Sequence, residues 1–223
     1  MSKMSSVPFI AFDLDGTLLD TEGMIHPKDV ELLKENSNSN PWFIIATGRP
    51  LTSVKHTFHQ NGLYWNEEIP HWLVLLNGAL IFEAHEKLLS YTFLEQECQT
   101  EIIRIISDFP QVTCMLQDIS SVHILNENEF GLASARLWNF DLLPYDKGDE
   151  KRDYAKIMCV SQSQNLLETI RRRLSKYPIE ISYSMATVLE ITPLGINKGE
   201  GIKKLLELTE QNNYLLYAAG DGG

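Results

Sequence analysis

Cysteine is scarce in this chain, and positive charge is outnumbered. Three cysteines occur in 223 residues. Cys98, Cys114 and Cys159 are an odd, scattered set without metal-ligand spacing, so neither a disulfide framework nor a zinc site is expected. They read as buried or incidental thiols, which fits the cytoplasm. Lysine and arginine total 19 against 30 acidic residues, a formal net charge of −11. That balance excludes nucleic acid as the main partner, because phosphate contacts need basic patches. The densest basic cluster, Arg171-Arg172-Arg173, falls in a helical pattern with Leu166, Leu167, Ile170 and Leu174, and reads as a solvated face. Long apolar runs are missing too. None approaches the roughly 18 residues of a membrane span, and the run that follows Met1-Ser2-Lys3 ends at Asp13, too short for a signal peptide. His26, His56, His59, His71, His85 and His123 lack ligand spacing, and no Ser-His-Asp arrangement can be picked out.

What is present is a chain 43% apolar and 22% charged, ordinary for a globular protein of one large or two small domains. Val7-Pro8-Phe9-Ile10-Ala11-Phe12 reads as a buried strand. Trp42-Phe43-Ile44-Ile45-Ala46, Trp72-Leu73-Val74-Leu75-Leu76 and Tyr214-Leu215-Leu216-Tyr217-Ala218-Ala219 read as three more. Helical patterns lie between them, which predicts a parallel sheet with crossover helices. Between about residues 84 and 189 the texture changes. Apolar pairs flank residues 83–87 as in a hairpin, and helices near 95–109, 130–138 and 165–176 alternate with short strands. Residues 146–153 form a charged loop. This middle section reads as a separate α+β domain inserted into the first.

Chemistry concentrates at the strand ends. Asp13-Leu14-Asp15-Gly16 follows the first strand, and in extended chain residues i and i+2 point the same way, about 6.6 Å apart. Thr47-Gly48-Arg49 ends the second strand, and Gly220-Asp221 ends the fourth. In a parallel sheet these tips converge on one edge, where open α/β folds bind ligands. Lys198, at the start of a helix, can reach the same edge. Carboxylates, a hydroxyl and an ammonium together suit a phosphoryl group beside a hard divalent cation. An EF-hand is excluded, since its terminal glutamate position holds Met24. Arg49 reads equally as a structural ion pair or a substrate contact. Asn77-Gly78 reads as a turn near the site, and Trp138, Phe140 and Tyr145 read as core packing rather than a pocket lining.

Asp13-Leu14-Asp15-Gly16-Thr17-Leu18-Leu19 resembles motif I of the haloacid dehalogenase superfamily. Thr47-Gly48-Arg49 resembles motif II, Lys198 in Asn-Lys-Gly motif III, and Gly220-Asp221 the opening of motif IV. Ala46-Thr47-Gly48-Arg49-Pro50, Asn77-Gly78-Ala79 and Leu189-Glu190-Ile191-Thr192-Pro193 are similar to the Cof-like subgroup with a type IIB cap. The resemblance implies an α/β, Rossmann-like core over residues 1–83 and 190–223, and an α+β cap over 84–189. It implies that Asp13 attacks phosphorus and that Asp15 shuttles protons. It assigns Thr47, Gly48 and Lys198 to the phosphoryl group, and Asp13, the main-chain carbonyl of Asp15, and Asp221 to Mg²⁺.

The implied activity is a Mg²⁺-dependent phosphatase acting on a small phosphorylated metabolite such as a sugar phosphate. The implied protein is a monomer or weak homo-oligomer without nucleic-acid or membrane partners. Two alternatives stay open: a phosphomutase of the same superfamily, and an impaired phospholigand-binding protein. The second arises because motif IV typically runs Gly-Asp-x-x-Asn-Asp, whereas this sequence ends at Gly222-Gly223. The expectation is a core whose C-terminal part is missing.

Overall fold

Two six-stranded sheets organise the chain. The computed structural model describes residues 7–35, 42–64, 72–83, 87–209 and 214–220. Val7–Phe12 forms β1, Pro27–Glu35 α1, Trp42–Ala46 β2, Leu51–Gln60 α2 and Trp72–Leu75 β3. After a 3-10 turn at Leu76–Gly78, the hairpin strands β4 (Leu80–Glu83) and β5 (Lys87–Tyr91) follow. The second unit contributes α3 (Gln96–Ser107), β6 (Thr113–Gln117), β7 (Val122–Leu125), α4 (Glu129–Leu137) and β8 (Leu142–Pro144). It continues with β9 (Lys156–Val160), α5 (Gln164–Leu174), β10 (Ile179–Met185) and β11 (Val188–Pro193). The chain then returns to the first unit through α6 (Lys198–Leu208) and β12 (Tyr214–Ala219).

The first sheet runs β12-β1-β2-β3-β4-β5. Its first four strands are mutually parallel, and β4 and β5 are antiparallel additions. Phe9, Ala11, Ile44, Ala46, Trp72 and Val74 alternate onto one face, where Ile202, Leu205 and Leu206 of α6 cover them. The second sheet runs β10-β11-β9-β6-β7-β8 and is antiparallel except for the β7–β8 pair. Cys114, Leu116, Ile157, Cys159, Leu189 and Ile191 on one face pack with Ile102 and Ile105 of α3 and Leu167, Ile170 and Leu174 of α5. The opposite face carries Met115, Val122, Met158, Val160 and Val188, packed with Ala135 of α4.

By contacts, the units divide after Tyr91 and after Ile196, with Pro50–Ser53 grouped with the second unit. The reason is pairing: β4 and β5 extend the first sheet, whereas β11 pairs with β9 and β10 in the second. The strand at Tyr214–Ala219 reads as buried from its composition but occupies a sheet edge. Its side chains are exposed, 49% for Leu215 and 58% for Tyr217. Residues 147–151 are a 3-10 turn rather than open loop, because Asp146 and Asp149 close a reciprocal capping box.

Trp138 and Phe140 pack against the Met115–Val188 cluster, and Tyr145 against the other core cluster. All three cysteines are buried free thiols. Among the described residues, no helix is long and apolar enough to cross a membrane.

Candidate active site

The tip of β1 assembles the site. The Asp13 N–H donates to the Ala219 carbonyl at 3.0 Å, tying the end of β1 to the end of β12. The Asp13 Oδ1 accepts from the Leu14 N–H at 2.7 Å, and its Oδ2 accepts from the Lys198 ammonium. Asp13 is largely buried, with 15% of its side chain exposed, and Lys198 retains 33%.

Asp15, at i+2, takes a different partner. Arg49 forks onto it, Nε to Oδ2 at 2.9 Å and a terminal nitrogen to Oδ1 at 2.6 Å. The other terminal nitrogen of Arg49 donates to Thr57 Oγ1 on α2 at 2.9 Å. Of the two readings of Arg49, the ion pair is the one observed. Its planar fork fixes the Asp15 carboxylate as a lysine could not.

Thr47 is fully buried where β2 ends. Its Oγ1 accepts from the Arg49 N–H at 3.2 Å, leaving the hydroxyl proton to point elsewhere. The loop around it hangs from the Leu76–Gly78 turn: Asn77 N–H donates to the Thr47 carbonyl at 3.1 Å, and Leu76 N–H to the Arg49 carbonyl at 3.4 Å. Leu76 and Asn77 hold positive φ of 49° and 60°, and Gly78 holds 106°. The expected turn is therefore a support for the Thr47–Arg49 loop.

The same turn seats α6. Asn197 caps the helix, its Oδ1 accepting from Glu200 N–H at 3.0 Å. Lys198 thus occupies the first helical position, at the positive end of the helix dipole. Gly78 and Gly201 lie in backbone contact: a Cβ on Gly78 would stand 2.4 Å from the Asn197 carbonyl oxygen, and one on Gly201 2.8 Å from the Gly78 Cα. Only two glycines allow this approach, and through it one turn positions both Thr47 and Lys198.

Asp13, Lys198, Asp15, Arg49 and Thr47 are thus linked through β1, β2 and α6, while Gly48 occupies the same Thr47–Arg49 loop. Asp221, expected as a metal ligand, lies outside the described residues. Gly220 before it is close by, a Cβ there lying 3.9 Å from Asp13 Cβ. The donors present are a carboxylate, Asp13, and a main-chain carbonyl at Asp15. Hard oxygen donors of this kind fit Mg²⁺, which takes one or two carboxylates and completes its shell with water and phosphate oxygens.

Sequence reading missed a second polar cluster, in the other unit. Ser121 Oγ stands 3.0 Å from His123 Nε2, and His123 Nδ1 stands 3.2 Å from Asp149 Oδ2. This is a Ser-His-Asp row, contrary to expectation, with Ser121 and His123 at the start of β7 and Asp149 on the 3-10 turn. Yet Ser121 donates its proton to Asp118 Oδ2 at 2.6 Å, so its hydroxyl is already committed. Asp118 and Asp149 also meet Arg152, at 3.5 and 2.5 Å. The geometry is a structural clamp, not an activated nucleophile.

Comparison with known proteins follows the same lines. Residues 10–223 match the family model of haloacid dehalogenase-like hydrolases. An uncharacterized hydrolase of Schizosaccharomyces pombe is 27% identical, over 100% of this chain and 77% of its own length. A 5-amino-6-(5-phospho-D-ribitylamino)uracil phosphatase of Bacillus subtilis is 24% identical, over 95% of this chain and 80% of its own. Among solved structures, a haloacid dehalogenase-like hydrolase of Bacteroides thetaiotaomicron superposes with a TM-score of 0.82 at 19% identity. It covers 97% of this chain and 82% of that one.

Proposed function

Because the chain belongs to the haloacid dehalogenase-like hydrolases, we propose that it is a Mg²⁺-dependent phosphatase that hydrolyses a small phosphorylated metabolite through an aspartyl-phosphate on Asp13. The observation that carries this reading is the Asp13 carboxylate held by the Leu14 N–H and the Lys198 ammonium at a strand tip, with Asp15 two residues on. The Bacillus relative is named for a phosphate monoester on a ribityl chain, which supports a hydroxylated small molecule as substrate.

An oxygen of Asp13 attacks phosphorus and the bond to the leaving oxygen breaks. Asp15 gives that oxygen a proton, for which it must first take one up and loosen its pairing with Arg49. Asp15 then removes a proton from water, water attacks phosphorus, and the bond to Asp13 breaks. Asp15 ends the cycle protonated, and once it passes that proton to solvent the carboxylate pairs with Arg49 again. The Thr47 hydroxyl, the Gly48 N–H and Lys198 complement the charge on the transferring group, where positioning supplies most of the catalysis. Asp13, the Asp15 carbonyl and Asp221 would hold Mg²⁺. When bound, the ion supplies charge neutralisation at the phosphoryl oxygens. The second unit would act as a cap that excludes water and selects the leaving group, in a cytoplasmic protein that is a monomer or weak homo-oligomer.

The test is release of inorganic phosphate from p-nitrophenyl phosphate, with Mg²⁺ and with EDTA. Turnover should require Mg²⁺ and fall at least about 1,000-fold in Asp13→Asn. Metal-independent turnover, or an active Asp13→Asn protein, overturns the reading.

A further inference from the structure

The core of the second unit holds a pair of thiols that the proposed chemistry does not use. β9 and β6 are the two central strands of its sheet, and their pairing sets Cys114 directly opposite Cys159. The two Sγ atoms stand 3.4 Å apart. Both residues are 0% exposed and belong to the core of Leu116, Ile157, Leu189 and Ile191. Cys98, the third thiol, lies on α3 in the same core and is 7% exposed.

This geometry is one step from a covalent bond. Facing residues of an antiparallel pair have Cα atoms about 4.5–5.5 Å apart, within the range of about 4.4–6.8 Å that a disulfide spans. The sulfurs need only turn about their Cα–Cβ bonds to close from 3.4 Å to about 2.05 Å. What keeps them apart is ionisation and access. Burial pushes the Cys114 thiol well above its ordinary pKa, and its hydrogen bond with Cys159 adds to the rise. A thiol that stays protonated is a poor nucleophile. The pair is therefore inert while β6 and β9 hold together and reactive once they part.

We propose that Cys114 and Cys159 are a latent disulfide of the second unit: a peroxide oxidises them when the sheet opens, and the bond then locks β6 to β9. With hydrogen peroxide as oxidant the step balances. One thiol, ionised in the opened unit, attacks a peroxide oxygen; the O–O bond breaks and hydroxide leaves, giving a sulfenic acid. When the strands pair again, their register returns the other sulfur to it. That sulfur attacks as thiolate, the S–O bond breaks with loss of hydroxide, and the S–S bond forms. The two thiol protons and the two hydroxides end as two waters, and two electrons pass from the sulfurs to the peroxide. Proximity selects the product, since a partner already in contact outcompetes Cys98. The joined residues are 45 positions apart, so the bond removes much of the opened unit's chain freedom. None of this rests on the phosphatase reading, because neither sulfur belongs to the catalytic tip.

The test exposes the full chain to hydrogen peroxide, with and without urea below the unfolding transition. Remaining thiols are then alkylated in denaturant, and the chain is cut with trypsin and weighed without reduction. Fragment 105–136 should appear joined to fragment 157–171, about 2 Da lighter than their sum, while Cys98 is recovered alkylated. Urea should speed the bond at least about tenfold, because opening is required. In the oxidised protein the backbone amides of β6 and β9 should exchange with deuterated water at least about 30-fold more slowly, and dithiothreitol should restore the original rate. Cys114→Ala should show neither the joined fragments nor the slowing. Should that variant fail to fold, the fragment map and exchange rates of the unaltered chain decide alone. The proposal is overturned if all three thiols stay free, if Cys98 enters the bond, if urea leaves the rate unchanged, or if the joined strands exchange as fast as before.

Discussion

Gly201→Ala probes the contact on which the site's geometry rests. The added methyl would meet Val74 Cγ1 at 2.5 Å and the Gly78 Cα at 2.8 Å. Val74 is fully buried in a central strand, and Gly78 is backbone at φ 106°, so neither can turn aside cheaply. Overpacking of this kind costs about 1–3 kcal/mol, and two rigid obstacles put it at the upper end. Alanine in a helix interior returns about 1 kcal/mol. The net expectation is a loss of about 2 kcal/mol, or about 4–8 °C in melting temperature for a chain of this size. If α6 instead backs away, Lys198 moves with it, and a displacement of about 1 Å at the phosphoryl site costs about 100-fold in turnover.

Urea unfolding followed by circular dichroism reads the first quantity, and phosphate release in dilute buffer the second. Lys203→Ala, on the exposed side of the same helix, is the control and should stay within about 0.5 kcal/mol. A Gly201→Ala protein as stable and as active as its parent would refute the reasoning, because helix propensity would then have outweighed the contact.

Arg49→Lys keeps the charge beside Asp15 but loses the two-pronged bond. Phosphatase turnover should fall about 10- to 100-fold with KM little changed, and unaltered kcat would reduce Arg49 to packing. Asp149 gives a pH prediction. Burial pushes its carboxyl up, but the Asp146 N–H and the Arg152 guanidinium outweigh it, with His123 adding to them, and leave the pKa below the ordinary value. A depressed carboxyl stabilises the fold above the unfolded-state pKa, about 3.9, and that contribution fades as pH falls through the folded value. Asp149→Asn should therefore cost about 1 kcal/mol at pH 7, with the gap from the parent constant down to about pH 5 and closing below about pH 4. Urea midpoints across that range check it, and a gap that widens in acid would reverse the sign.

Local pattern in the amino-acid sequence determined the strands, the order of strand-tip motifs and which carboxylates are the candidates for catalysis. Strand alternation and the Asp-x-Asp spacing are properties of neighbouring residues, legible without a fold. It also pointed to a second, α+β section between about residues 84 and 189. Strands β4, β5 and β11 show the same alternation whichever sheet they join, and only pairing partners decide. Tertiary structure alone decided that Arg49 grips Asp15, that Gly78 and Gly201 touch, and that Ser121, His123 and Asp149 form a row. It alone buried the Gln117 amide, without a hydrogen-bond partner among the described residues, beside the Lys156–Glu190 pair. Each of these joins residues brought close by chain crossovers and strand register, and those are settled by how whole faces bury against one another.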